Sequence, residues 1–393
     1  MTGPLSGLIV VETGEGVSAA YCGLLLSALG AEVIKVEPLR GDEARGVGPF
    51  PSDVPDPEQS ALFLALNRNK QSIALALDTL AGQELFRTLV SKAQIVVENE
   101  RPGRMDACGI GYERCAAETP SLVWTAITPF GQDGPYRDAP ATELTLFALG
   151  GLMSLVGDPD REPLMFQGQP GLHGAGLYAF AATLLAVFHA EMCGEGQFVD
   201  VSIFESLASS HHQGLVDYDY AGRIRRRGEM RMPIPTLDGV MSFTVQAHRY
   251  DAFRRLILGD RASAENEAVD VIERDRNRSE GEMDNEILMW SVQQTKYDAY
   301  RKAQSVRVPA AFVAGPADLL ESPQYAHRNY LVTLDHPDAG LLTYPGFPAK
   351  MTGLVPEWTA APRLSEQADE ILRRLADLTA DEIADLRAAG VVR

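Results

Sequence analysis

The residues best suited to chemistry fall in three short loops, each rich in groups that hold an anion. LNRNKQS (66–72) offers Arg68 and Lys70 just ahead of an apolar run. VENERPGRM (97–105) offers Asn99, Arg101 and Arg104 around a Pro102-Gly103 turn, and ITPFGQDGPYRD (127–138) offers backbone amides among glycines and prolines. Guanidinium and ammonium groups bind phosphate through charge-assisted hydrogen bonds. Three such clusters at strand ends favour a phosphate-bearing, nucleotide-like ligand over plain surface charge. A fourth pattern, Gly14-x-Gly16-x-x-Ala19 with Glu37 after the next apolar run, approaches a dinucleotide fingerprint. It lacks the third glycine, and Glu37 precedes Pro38, so the simpler reading is a βα turn and a strand end, with neither NAD nor flavin.

Other chemistries have less support. There is no GxSxG elbow, and SSHHQG (209–214) has no pattern that makes a triad, so His211 and His212 read as helix residues. No HExxH, P-loop or EF-hand is present. Cys22, Cys108, Cys115 and Cys193 show no CxxC spacing and no histidine at ligand spacing, so neither a metal site nor a disulfide framework is expected. Scattered thiols suit a reducing cytoplasm, and no signal peptide is read. No run is read as approaching 18 apolar residues, so no membrane span is expected. The net charge of −19 argues against a nucleic-acid surface. Its one basic cluster, RIRRR (223–227), reads equally as an anion pocket and as a solvated linker.

The elements that position these loops follow from periodicity. LIVVE (8–12), EVIKVE (32–37), SIALAL (72–77), IVVENE (95–100) and LVWTAITPFG (122–131) read as strands. Helical patterns over 19–28 and 80–92 fall between them. Strands alternating with helices imply an α/β fold, a mostly parallel sheet covered on both faces. Ligands on such sheets sit beyond the strands' carboxyl ends, where GEGVS, NERPG and TPFGQDGP all lie and are expected to converge. Residues 143–156 and 175–192 are helix-like, followed by FVDVSIFES. Around Arg223 to Pro235 the composition turns polar, suggesting a crossover to a second domain. IPTLDGVMSFTV (234–245) reads as a hairpin turning at Asp238-Gly239. ERDRNRSEGEMDNE (273–286) reads as an exposed loop or helix face, and Thr379-x-x-Glu382 as a capping box in a helical C-terminus.

In order and spacing these segments resemble the family III CoA-transferases, the family of formyl-CoA transferase, carnitine CoA-transferase and α-methylacyl-CoA racemase. The resemblance is carried by LGAEVIKVEP with GDEAR (41–45), LNRNKQSIALAL, VVENERPGRMDACGIGYE and ITPFGQDGPYRDAPATELTLFALGGLMSLVG. It continues through GLYAFAATLLAVFHAEMCGEGQFVDVSIFES to LTADEIADLRAAGVV, nearly the whole chain. It implies a large Rossmann-like, CoA-binding domain, 1–215 with 335–393, and a smaller α+β domain with linkers, 216–334. It further implies an interlocked dimer, homomeric or with a paralogous subunit. The active site is expected at the interdomain and intersubunit boundary. Acyl-CoA and carboxylic acids are the implied partners, with coenzyme A held by Arg45, Lys70, Asn99, Arg101 and Arg104. Glu100 stands where relatives often carry an aromatic or small apolar residue.

One departure matters most. Transferases of the family attack the thioester with an aspartate just before the GLYAFAA-type helix, and that position falls here on Leu172, followed by His173. The histidine of the racemase branch falls on Thr142, beside Glu143. Three explanations stand: His173 acts as nucleophile or base with Glu143 its partner, the chain is a non-catalytic subunit beside an aspartate-bearing paralogue, or a local shift hides the nucleophile. No Asp lies between Arg161 and Val199, which makes the last the weakest. Glu143 reads equally as a base and as a helix cap. Activity at the α-carbon, as in a racemase, is the alternative to CoA transfer.

Overall fold

The computed structural model describes residues 3–224, 233–243, 250–259 and 280–393. The chain forms two compact units, one of Met1–Val156, Glu162–Arg225 and His327–Arg393, the other of Gly157–Arg161 and Arg226–Ala326. In the first, six strands run β1 (Ile9–Thr13), β2 (Glu32–Glu37), β3 (Lys70–Ala74), β4 (Ile95–Glu98), β5 (Val123–Thr128) and β6 (Phe198–Ser202). Their order is β3-β2-β1-β4-β5-β6, with every neighbouring pair parallel. The helices that matter for the site are α1 (Ser18–Ala28), α2 (Ala61–Leu66), α3 (Leu80–Ser91), α4 (Arg104–Ala107), α5 (Tyr112–Glu118), α6 (Glu143–Leu149) and α7 (Pro170–Cys193).

Both sheet faces are buried, which is why the strands read as nearly continuous apolar runs. On one face Phe86 and Leu89 of α3, with Ile371 and Leu372 of the helix Ala368–Leu375, cover Val11, Ile34, Val96 and Trp124. On the other, Cys22 and Leu26 of α1 and Ala175 and Ala179 of α7 cover Val10, Val33, Ile95 and Val97. Adjacent residues Val10 and Val11 thus serve opposite faces, as the period of two requires. Both chain ends build this unit, since Leu75 bridges antiparallel to Val392. The C-terminal capping box forms as expected: Thr379 N–H donates to Glu382 Oε2 at 2.8 Å and Glu382 N–H to Thr379 Oγ1 at 3.4 Å.

α7 corrects one expectation. Its 24 residues make it long and apolar enough to cross a membrane by length and composition. Its inner face is nevertheless packed: Gly171, Ala175, Gly176, Ala179, Thr183 and Ala186 are buried, and these small side chains bring it close to α1. A Cβ on Gly176 would stand 2.7 Å from Ser18 O. The helical pattern over 143–156 is interrupted because Gly151, at φ 85°, ends α6 and leaves only a short turn, Leu152–Leu155.

In the second unit Ile234–Pro235 and Val240–Phe243 pair antiparallel around Asp238-Gly239, as the hairpin pattern predicts, and Ala310–Phe312 adds a third strand. Phe253, Ile287, Ala299 and Val308 pack with Met241 beneath them. Residues 225–227 of the basic cluster, 244–245 of the hairpin pattern and 273–279 of the charge-rich stretch lie outside the described residues.

Candidate active site

Helical connections leave β1 toward one edge of the sheet and β4 toward the other, so a crevice opens between their carboxyl ends. A cavity of about 570 Å³ lies there. Glu15, Gly16 and Ser18 line it from the β1–α1 loop, and Asn99, Arg101 and Arg104 from the turn after β4. Pro129 lines it from the end of β5, Thr142 and Glu143 from the start of α6, and Gln169 and Leu172 from the start of α7. The three loops expected to converge do so.

Asn99 ties two of these loops together. Its Nδ2 donates to Glu15 O at 2.7 Å and to Ser18 Oγ at 3.2 Å. Gly14 makes this possible: its φ is +99°, and any side chain there would run into Asn99 Oδ1. From the other side, Asp42 Oδ1 accepts the N–H of Gly16 at 2.9 Å and of Ala44 at 2.7 Å. Asp42 is itself held by Lys35 at 2.8 Å, Lys35 by Glu12 at 3.0 Å, and Glu12 by Lys70 at 2.7 Å. These four charges, two of each sign, are fully buried under the loop. Burial alone would lower the Lys35 pKa, but Asp42 and Glu12 outweigh it and raise the pKa. The same pairing with Lys35 overcomes burial at Asp42 and holds its carboxyl below the ordinary range. Gly23 of α1 leaves room for the network, since a Cβ there would overlap Glu12 Oε2. Reading the loops alone missed this network. GDEAR and the polar residues inside the strands, Glu12 and Lys35, were its signal.

The five residues expected to hold coenzyme A divide accordingly. Asn99, Arg101 and Arg104 line the cavity, while Lys70 and Arg45 do not. Lys70 Nζ is spent on Glu12, Ala20 O and Asn67 Oδ1, both of the last two at 2.8 Å. Burial outweighs the Glu12 charge and pulls its pKa down to about 8. Arg45 forks onto Glu37 at 2.7 and 2.9 Å, reaches Glu58 at 2.8 Å, and stacks 3.6 Å over the Phe63 ring. Both are interior side chains: Lys70, read from its place just before a strand, and Arg45, named through the family resemblance, are buried here. Glu37, the acidic residue of the fingerprint, also takes Ser72 Oγ at 2.6 Å. Burial raises its pKa, yet Arg45 overcomes this and holds it below the ordinary range. Its carboxylate is consumed inside the protein.

Glu143, Leu172 and His173 meet at the start of α7. Glu143, nearly buried, accepts the N–H of Gly171 at 2.7 Å and of Leu172 at 3.2 Å. An acidic side chain from α6 therefore satisfies the open donors of α7, whose own cap residue, Gln169, makes no side-chain cap bond. His173 does not line the cavity. Its Nδ1 lies 2.9 Å from Gln169 O, so the proton sits on Nδ1, and its ring meets Tyr21 edge-on at 5.0 Å. Thr142 caps α6, with Oγ1 accepting from Thr145 N at 3.4 Å.

A second cavity of about 500 Å³, bordered by Arg40, Leu75 and Asp78, shares Glu15, Glu100 and Arg104 with the first. Together they make a groove along the carboxyl edge of β2, β1 and β4. Arg104 is paired with Glu100 at 3.0 Å and Arg40 with Glu15 at 2.5 Å. Arg101 has no side-chain partner among the described residues and borders the larger cavity.

Comparison with known proteins decides the lineage. The model of CoA-transferase family III matches residues 5–368. The chain belongs to that family. It is 31% identical to a succinyl-CoA–D-citramalate CoA-transferase of Chloroflexus aurantiacus, covering 99% of this chain and 98% of the relative. It is 31% identical to subunit BbsE of a succinyl-CoA:(R)-benzylsuccinate CoA-transferase of Thauera aromatica, covering 93% and 92%. A crystal structure of a CaiB/BaiF family protein from Brucella suis superposes with a TM-score of 0.84 at 27% identity, covering 95% of this chain and 100% of that one. As a family III CoA-transferase, the protein acts on acyl-CoA thioesters and moves coenzyme A between carboxylic acids.

Proposed function

We propose that this transferase is a CoA-binding subunit that works on dicarboxylic acids beside a paralogous, aspartate-bearing chain. The observation that carries it is that Leu172 lines the main cavity, and the family resemblance assigns the nucleophilic aspartate to this position. An alkyl side chain neither attacks a thioester nor carries a proton. The Thauera relative is named as a subunit, which supports a two-chain enzyme, and both named relatives use succinyl-CoA, which supports a dicarboxylyl donor. Coenzyme A lies in the groove, with Arg101 and Arg104 toward its phosphates and the loop held by Asn99 beside its arm. Arg45 and Lys70 act from below, by fixing that loop and its neighbours. The partner chain covers the outer face of α7, where Leu185, Phe188 and Met192 are between 64% and 72% exposed.

A second reading keeps catalysis within the chain. A mixed anhydride needs a carboxylate, and Glu143 is the one nearest the Leu172 backbone. The thioester carbonyl would then be polarised at the α7 N-terminus as Glu143 leaves it. Proton transfer at an α-carbon finds less support, because no histidine lines the cavity among the described residues.

The deciding experiment uses the purified full-length chain with succinyl-CoA and a panel of dicarboxylic acids, following CoA-ester exchange by chromatography. The subunit reading predicts CoA binding without exchange, and exchange once an aspartate-bearing paralogue is added. Exchange by the single chain overturns it, and its loss in Glu143→Gln would then establish the second reading.

A further inference from the structure

The groove along the carboxyl edge of the sheet is not strongly cationic, although coenzyme A carries a diphosphate and a 3′-phosphate. Arg40, Arg101 and Arg104 border its two cavities, but five carboxylates border them too. Glu143 caps α7, and Glu15 builds the rim by accepting Arg40 and the Glu43 N–H, the latter at 2.8 Å. Glu43 and Asp78 each border one cavity. Glu100 borders both, and its Oε2 lies 3.0 Å from Arg104 Nε. The turn after β4 sets this contact: Arg104 N–H closes onto Arg101 O at 3.0 Å, with Gly103 at φ +78° just before it. Glu98 Oε2 accepts the Glu100 N–H at 2.6 Å, and burial pushes the Glu98 carboxyl up to about 8, so at neutral pH it adds no charge there. The Arg104 side chain is 54% exposed, so its pair with Glu100 contributes little to the fold. Burial raises the Glu100 pKa, and the Arg104 charge opposes this without cancelling it.

We propose that Glu100 is a built-in competitor of the phosphates of coenzyme A, occupying Arg104 while the groove is empty. This rests on coenzyme A lying in the groove with Arg104 toward its phosphates. A phosphate oxygen and the Glu100 carboxylate are both anions, and both seek the same edge of one guanidinium. Binding therefore separates Glu100 from Arg104 and leaves two negative groups close together, where repulsion is strong. Glu15 does not take the same part, because Arg40 and the Glu43 N–H hold both of its carboxylate oxygens. The charges that act on Glu100 are Arg104 on its own turn, and Glu15 and Arg40 from the facing loops. Glu100 thus sets how tightly the chain holds coenzyme A and leaves the chemistry of the acyl group untouched.

The test is calorimetric titration of the full-length protein with coenzyme A at low and at high salt. Glu100→Gln keeps the size of the side chain and removes its charge. It should tighten coenzyme A binding about fivefold, the relief of one close repulsion, and leave the urea midpoint in place. Affinity in this variant should also fall more steeply with added salt, because the net attraction being screened is larger. In an Arg104→Gln background the same substitution should gain less than half as much, since the contested cation is gone. Arg101→Gln separates this inference from the placement it rests on. If Arg101→Gln leaves coenzyme A affinity unchanged, the groove is not the coenzyme A site and both fall. If Arg101→Gln weakens binding but Glu100→Gln does not tighten it, the placement stands and the competitor is overturned. A salt dependence unchanged by Glu100→Gln, or a gain that persists in full without Arg104, overturns the competitor in the same way.

Discussion

Glu143 Oε1 accepts the backbone N–H of Gly171 at 2.7 Å, so a carboxylate at the start of one helix closes the N-terminus of another. The contact joins α6 to α7 at the spot where the reactive carboxylate of the family is expected. Removing it should cost stability before it costs chemistry. Glu143→Ala leaves two helix N–H groups without acceptors and should lower unfolding free energy by about 1–2 kcal/mol, read from urea midpoints. Glu143→Gln keeps an acceptor oxygen, loses the charge at the helix terminus, and should cost less than half as much. Equal losses in the two variants would show that the charge, and not the acceptor, holds α7.

The interior cations and the cavity cations should separate cleanly under mutation. Lys70→Met strands Glu12 beside Lys35 with half its compensation, and breaking a buried pair this way costs about 3–5 kcal/mol. Thermal or urea unfolding will read that loss directly. Arg101→Gln touches no ion pair and should leave the unfolding midpoint in place while acyl-CoA binding weakens about tenfold. A Lys70→Met protein of unchanged stability would mean that its charge is not needed inside the fold.

The contrast between those two residues shows how far the sequence was legible. Parallel strands and their helices were readable because burial on both faces leaves long apolar runs, and the strands from β1 to β5 fall close to their expected limits. Convergence of the loops was readable too, since carboxyl ends of parallel strands share one edge of the sheet. What did not show was direction. Lys70 and Arg45 look like Arg101 in sequence, yet Lys70 is the first residue of β3 and points inward to Glu12, a residue 58 positions earlier. Pairing across that distance depends on strand order, which no local pattern carries. The placement of His173 is set in the same way, by direction. It lies next to Leu172, but a helix turns successive residues about 100° apart, so Leu172 faces the cavity while His173 meets Tyr21.

Placing a carboxylate at position 172 is a direct check on the subunit reading. Leu172→Asp puts an acidic residue in the first turn of α7, where the helix terminus favours it, so the variant should fold. Glu143 next to it will repel the new charge and raise its pKa, so activity should be small and should rise with pH as the carboxylate ionises. The expected outcome is measurable succinyl-CoA exchange by the single chain where the parent shows none. A variant that binds coenzyme A as before yet exchanges nothing would show that the rest of the active site is not in place in this chain.

Glu98 supplies a prediction about pH and stability that is independent of any ligand. Its carboxyl titrates at about 8 in the folded protein, against about 4.3 in an unfolded chain. Below the unfolded value both states are protonated and the neutral buried acid costs nothing extra. Between the two values the unfolded chain has lost the proton and the folded protein keeps it, so folded stability falls as pH rises, and the fall ends once pH passes about 8. Glu98→Gln has no proton to lose at this position and should be free of that slope. The two proteins should unfold at similar urea concentrations near pH 4.5, and the variant should be the more stable at pH 8 by on the order of a few kcal/mol. The other acidic groups are the same in both, so the difference between their pH profiles reports Glu98 together with its coupling to Glu100 and Asp106. Parallel profiles would mean that Glu98 ionises in the folded protein as it does in the unfolded one.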